Sequence, residues 1–228
     1  MKAHGLALTR LLQLASPALP VGAYSYSQGL EAAVEAGKAR DAASARRWIG
    51  DMLRLSMARL EAPLWHRLHS AWLAGDVTQV NEWNDYFLCT RETAELRAET
   101  LQMGWSLRRL LLELDEFDAP ALALLESPSE IAFPTAYTFA VAQWRIPPSE
   151  ALTGYLWSWL ENQVMAALKA VPLGQTDGQR LLAALSKDIV IISEKSYSID
   201  AIEMTNYSHG LAIASSVHET QYSRLFRS

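Results

Sequence analysis

Apolar residues recur at helical spacing along most of the chain. Leu8, Leu11, Leu12 and Ala15 form a stripe through residues 6–15, and Pro17 and Pro20 end that helix. A loop rich in Tyr and Ser follows over 21–28, then a short helix over about 27–35 that stops at Gly37. From the capping residue Asp41 the pattern runs through Trp48, Met52, Leu55 and Leu60 to a break near Pro63. Pro63 opens the next helix, which ends at Gly75, and Asp76 caps another that carries Val80, Trp83 and Phe87. Over 91–114 the spacing puts Ala94, Ala98, Leu101, Trp105 and Leu112 on a buried face, with Glu92, Glu95 and Glu99 on a solvated one. Pro147-Pro148-Ser149-Glu150 starts a helix over 151–170 that is apolar on nearly every side. Such a helix belongs in the middle of a bundle or under a partner. Pro172 and Gly174 end it, and Thr176-Asp177 begin one more through Leu181, Leu182 and Leu185.

The run Ile189-Val190-Ile191-Ile192 has strand composition, but a lone strand has nothing to pair with here. It reads as helix continuation or a buried connection. Residues 193–209 are polar and patternless, and are expected to be mobile. The pattern as a whole predicts an all-α, multi-helix bundle forming a single domain over residues 1–228, with a C-terminal tail that docks.

Composition narrows the function classes. Half of the residues are hydrophobic and the formal net charge is −5, so the chain has enough apolar material for a core and lacks the basic stripe of a nucleic-acid binder. The one cysteine, Cys89, rules out an intrachain disulfide and suits a reducing cytoplasm. The Leu-rich N-terminus faintly imitates a signal peptide, but Arg10 and Gln13 interrupt its apolar stretch. No apolar run is long enough to cross a bilayer, so a soluble protein with no membrane partner is expected.

Candidate chemistry is sparse. His66 and His69 share one helix face at a spacing that suits a metal, yet no carboxylate or thiol reinforces them. Two partly exposed surface histidines are the plainer reading. Nucleophile-elbow and phosphate-loop patterns are absent. The residues therefore predict no catalytic site, no metal and no cofactor.

Two segments place residues of recognition type outside helices. The loop 21–28 carries Tyr24, Tyr26 and Gln28, which either pack down onto the fold or form part of a recognition surface. Residues 218–228 hold Tyr222, Arg224, Leu225 and Phe226. An aromatic and Arg-bearing tail is costly to leave in water, so it docks on its own body or, as physical considerations favour, on a partner. Lys169, late in an apolar helix, needs its charge at a surface or at a contact.

Four blocks also carry a family likeness. Residues 11–31 (LLQLASPALPVGAYSYSQGLE), 91–97 (RETAELR), 171–180 (VPLGQTDGQR) and 218–228 (HETQYSRLFRS) resemble, in order, the signature segments of the UreF family of urease accessory proteins. Departures are small: Ala23 stands where Gly or Ser is common, and Tyr26 where His or another aromatic is. Residues 186–212 match the family poorly, and nothing is carried over to them. The resemblance implies a non-enzymatic maturation factor, a chaperone that forms a homodimer and binds UreD (UreH). That complex recruits the nickel-binding GTPase UreG and docks on apo-urease, so that nickel reaches its site. It further implies that the tail, 213–228, is ordered by UreD, and that Tyr24 and Arg224 help to hold UreG. Tyr26, Gln28, Lys169, Tyr222, Leu225 and Phe226 complete the expected partner-binding set. An alternative within the same resemblance is a GTPase-activating role, with an arginine reaching the UreG nucleotide.

Overall fold

A computed structural model describes residues 2–228. Among these residues every regular element is helical and no strand occurs. In chain order the helices are α1 (Lys2–Leu14), α2 (Leu30–Glu35), α3 (Ala42–Met52), α4 (Ala62–Ala74), α5 (Val77–Cys89) and α6 (Ala94–Glu113). They continue with α7 (Ala119–Leu125), α8 (Phe133–Gln143), α9 (Pro148–Ala170), α10 (Gln175–Lys195) and α11 (His209–His218).

Side-chain caps set several of the helix starts. Asp41 accepts from the Ser44 amide at 2.8 Å, and Ser44 Oγ accepts from the Asp41 amide at 3.1 Å, which closes a capping box. Asp76, Thr93 and Asp118 each accept from an amide three residues on. Those first-turn N–H groups have no partner within the helix, so each cap supplies a missing acceptor.

The core is arranged around α8 and α9. Helix α8 packs between α4 and α6, and it is buried continuously from Pro134 to Ala142. A helix buried on every side has no polar face, so hydrophobic spacing gave no amphipathic signal for it. Helix α9 packs along α10 and also meets α1, α2, α3 and α4, as expected of a helix apolar all round. Residues 189–192 continue α10, with Ile189 and Ile192 buried and Val190 and Ile191 turned outward.

Three expectations are revised by the packing. The chain does not break at Pro63: the nine residues Leu53–Glu61 wind as a π-helix joining α3 to α4. The Ala62 amide bonds back to Met57 O, and the wider register accommodates a proline that has no N–H to give. Residues 193–209 are structured. They form two 3₁₀ turns, Ser196–Ser198 and Ala201–Glu203, and Met204 is buried with Leu60, Leu64 and Phe87. The amides of Thr205 and Tyr207 donate, each at 3.3 Å, to the carbonyls of Arg59 and Leu55 in the π segment. Finally, the buried face of α6 is not the one its apolar spacing marks. Leu96, Glu99, Thr100, Met103 and Leu107 face inward, whereas Ala94, Ala98 and Trp105 are exposed.

Gly104 fixes how closely α6 approaches the chain entering α8, since a Cβ there would lie 2.1 Å from the Ile131 carbonyl oxygen. Backbone cannot yield as a side chain does. Gly104→Ala is expected to cost about 1–3 kcal/mol or more, read from urea unfolding. Gly5→Ala, at a helical position with nothing within 4 Å, is expected to be neutral or to stabilise by up to about 1 kcal/mol.

Candidate functional site: the docked C-terminal segment

The residues after α11 return to the loop that precedes α2. The Arg227 amide donates to Ser25 O at 2.8 Å, and the Ser27 amide and Oγ donate to Ser228 O at 2.7 and 2.6 Å. Phe226 is buried in the main core, and Lys169 Nζ sits 5.5 Å from the centre of its ring.

Carboxylates on α2 and α6 organise this return. Glu31, in the first turn of α2, is buried. Its Oε1 accepts from the Leu225 amide at 2.7 Å, and its Oε2 from the Phe226 amide at 3.0 Å and from His218 Nε2 at 3.2 Å. The other ring nitrogen of His218 lies 2.7 Å from Glu95 Oε2, and Arg224 donates to Glu95 Oε1 at 2.5 Å. His218, fully buried, thus faces a carboxylate from each nitrogen. Thr93 Oγ1 and Ser215 Oγ, 2.7 Å apart, fasten α11 beside it.

Close approach of α11 requires the turn before α2. Gly29 has φ 74°, and a Cβ there would fall 3.2 Å from both Ala214 Cβ and the Ser215 amide. Gln28 also has a positive φ, 51°, unusual for a residue with a long side chain. Its amide explains why it is held there. Trp159 Nε1 donates to Gln28 Oε1 at 2.7 Å, and Gln28 Nε2 donates to Glu99 Oε1 at 2.7 Å. Ser228 Oγ donates to the other oxygen of Glu99 at 2.8 Å.

The sequence-derived residues divide into two groups. Tyr24, Tyr222 and Leu225 point to solvent, Leu225 with 70% of its surface exposed. Lys169 is exposed, and the Arg224 side chain is partly so while it grips Glu95. Tyr26 and Phe226 are buried and Gln28 is half-buried; these form the socket, with the Tyr26 carbonyl accepting from Asn162. The expected tail, 213–228, begins inside α11 and lies against its own chain. Sequence reasoning missed Glu31, Glu95, Glu99 and His218. The one signal of the three glutamates, acidic residues at helical spacing, resembles that of any solvated face.

Histidines 66 and 69 are not a pair of surface groups. His69 is buried and stacked on Trp65 at 5.3 Å, and His66 Nε2 lies 3.2 Å from Ser196 Oγ. Burial, with the nearby charges of His69 and Arg67, pushes His66 down to about 4. Among the described residues, no three His, Cys, Asp or Glu side chains gather as a metal would need.

Two outcomes follow for the socket. Glu31→Ala leaves two tail amides and a buried imidazole without their acceptor. It is expected to lower stability by about 2–4 kcal/mol and to abolish hydrogen-exchange protection at residues 225–227. Burial, opposed by the bonds from Gln28 and Ser228, pushes the Glu99 carboxyl up to about 7 from an ordinary 4.5. The folded chain then binds more protons than the unfolded one between those values, so this group's contribution to stability falls as pH rises from 4.5 towards 7. Urea unfolding at pH values below and above that window is expected to show Glu99→Gln gaining on the natural chain at the higher pH. A stability gap that does not change with pH contradicts this.

Comparison with known proteins agrees with the four sequence blocks and extends them. The UreF family model matches residues 39–186. The chain is 60% identical to a urease accessory protein UreF from Azoarcus sp. (strain BH72), over 98% of this chain and 96% of that one. It is 55% identical to the UreF protein of Dechloromonas aromatica (strain RCB), over 98% of each chain. With the UreF protein of Methylobacillus flagellatus it shares 49% identity over 97% of each. These similarities extend over nearly the whole chain, and the chain belongs to the UreF family of urease accessory proteins.

Proposed function

We propose that the chain is a scaffold for urease maturation, and that the face built from Tyr24, Lys169, Tyr222, Arg224 and Leu225 is where its partners bind. The reading takes UreD as the protein that engages the C-terminal segment, with the pair recruiting UreG and presenting nickel to apo-urease. Work in the cytoplasm and assembly as a homodimer belong to the same reading.

The observation that carries it is an exposed aromatic and aliphatic set on a rigidly held segment. Tyr222 and Leu225 are left in solvent while the residues that alternate with them are tied down by Glu95 and Glu31. A chain that hides Phe226 yet holds Leu225 outward has already lost the conformational entropy that partner binding would otherwise cost. Aromatic and Arg side chains at such a site are the residue types that dominate interface energetics. The alternative role, an arginine acting on the UreG nucleotide, finds Arg224 committed to Glu95 at 2.5 Å, a bond it must leave to reach a phosphate.

The test is co-purification with UreD and UreG. Tyr222→Ala/Leu225→Ala removes exposed side chains only, so the fold is expected to persist while UreD binding weakens by about 2 kcal/mol or more, roughly 30-fold. Arg224→Ala is expected to leave a folded chain that no longer supports urease activation. Undiminished complex formation and activation by both variants would sink the proposal.

A further inference from the structure

Behind the loop 21–28, helices α1, α5, α6 and α9 and the π segment surround a cavity of about 440 Å³, within the size range of small-molecule sites. Its walls are apolar, with Leu14, Val21, Met103 and Phe133 among them, and Tyr24 and Lys169 stand at its exposed rim. Its floor is charged: Glu61, Glu99 and Arg91 all face it.

The charges on that floor do not balance. Arg91 pairs with Glu61 at 3.6 Å, lies 4.2 Å from the centre of the Phe87 ring and donates to Thr90 Oγ1 at 3.2 Å. Glu61 also accepts from the Tyr155 hydroxyl. The guanidinium is therefore committed to one of the two carboxylates. Glu99 receives only neutral donors, the Gln28 amide and the Ser228 hydroxyl, although it is buried. The Arg91 Nε, a donor buried on the same floor, has no acceptor.

We propose that this cavity binds a small organic cation, an amidinium or primary ammonium on a compact apolar body, whose charged end pairs with Glu99. Glu99 feels the Arg91 charge but has no hydrogen-bonded counter-ion, so its lost hydration is only partly offset, and a cation delivered into the same dry site adds to that offset. An amidinium presents two parallel N–H groups that match a carboxylate in the way a guanidinium does. Apolar walls above the floor take the body of the ligand out of water. Burial pushes the Glu99 carboxyl up to about 7, so it is about half ionised at pH 7 and an arriving cation favours the ionised form. Anions are disfavoured by Glu61 and Glu99 together, and a neutral molecule of equal shape leaves Glu99 uncompensated.

Benzamidinium, benzamide and benzoate share one shape and differ in charge, so they separate charge recognition from cavity filling. Titration calorimetry on the full chain is expected to show one benzamidinium per chain, bound at least 10-fold more tightly than benzamide, with benzoate weaker still. With ¹³C-methyl methionine, the Met103 and Met165 signals, two of the six methionines, are expected to move on adding benzamidinium. Glu99→Gln is expected to lose that 10-fold preference and leave benzamide binding unchanged. Equal binding of benzamidinium and benzamide, shifts confined to other methionines, or no benzamidinium binding up to about 10 mM would each overturn the proposal. The first two readings use the natural chain, so they decide the matter even if Glu99→Gln does not fold.

Discussion

A carboxylate taken out of water has to be given donors, and Glu31 obtains them from residues nearly the whole chain away. Its acceptors take the amides of Leu225 and Phe226 and one nitrogen of His218, separations of 194, 195 and 187 residues. Remove these donors and Glu31 is a buried charge with nothing to satisfy it; remove Glu31 and two backbone amides and an imidazole are stranded instead. Neither half is tolerable alone. This reciprocity closes the end of the chain onto the start of α2, and it makes the C-terminal segment part of the fold.

The surroundings are shaped to allow that contact. Gly29 gives α11 the room to approach, and Gln28 accepts a left-handed backbone because its side chain is held between Trp159 and Glu99. Helix α6 turns its glutamates inward towards His218, Arg224 and Ser228, at the expense of Ala94, Ala98 and Trp105, which face water. On the other side, the π segment carries Glu61 into the interior and frees the Leu55 and Arg59 carbonyls for the amides of Thr205 and Tyr207. Irregular winding of this kind is used where a side chain must be re-aimed.

The loop before α2 and the docked C-terminal segment each hold two kinds of surface. Tyr26, Gln28 and Phe226 serve the interior, and Tyr24, Tyr222 and Leu225 remain outside. Phe226 is buried in the core while its neighbour Leu225 is left outside. The protein's own core thus fixes the positions of the side chains that the docked segment leaves in solvent.

Much of the helical order was legible in the chain itself. Caps at Asp41 and Asp76, the Pro-Pro start of α9 and the stop at Gly75 act within a few residues, so local chemistry determined them. The four blocks that mark the family were legible for the same reason. What the chain could not reveal were features whose partners lie far away in sequence. Glu95 and Glu99 read as a solvated face because the histidine, arginine and serine that pair with them lie more than a hundred residues on. Helix α8 gave no periodic signal because α4 and α6 cover it from both sides, and Pro63 looked like a break because π winding is chosen by packing. Sequence determined where helices start, stop and are apolar. Tertiary structure alone decided which polar side chains are inside, since a buried charge is stable only where distant donors have been brought to it.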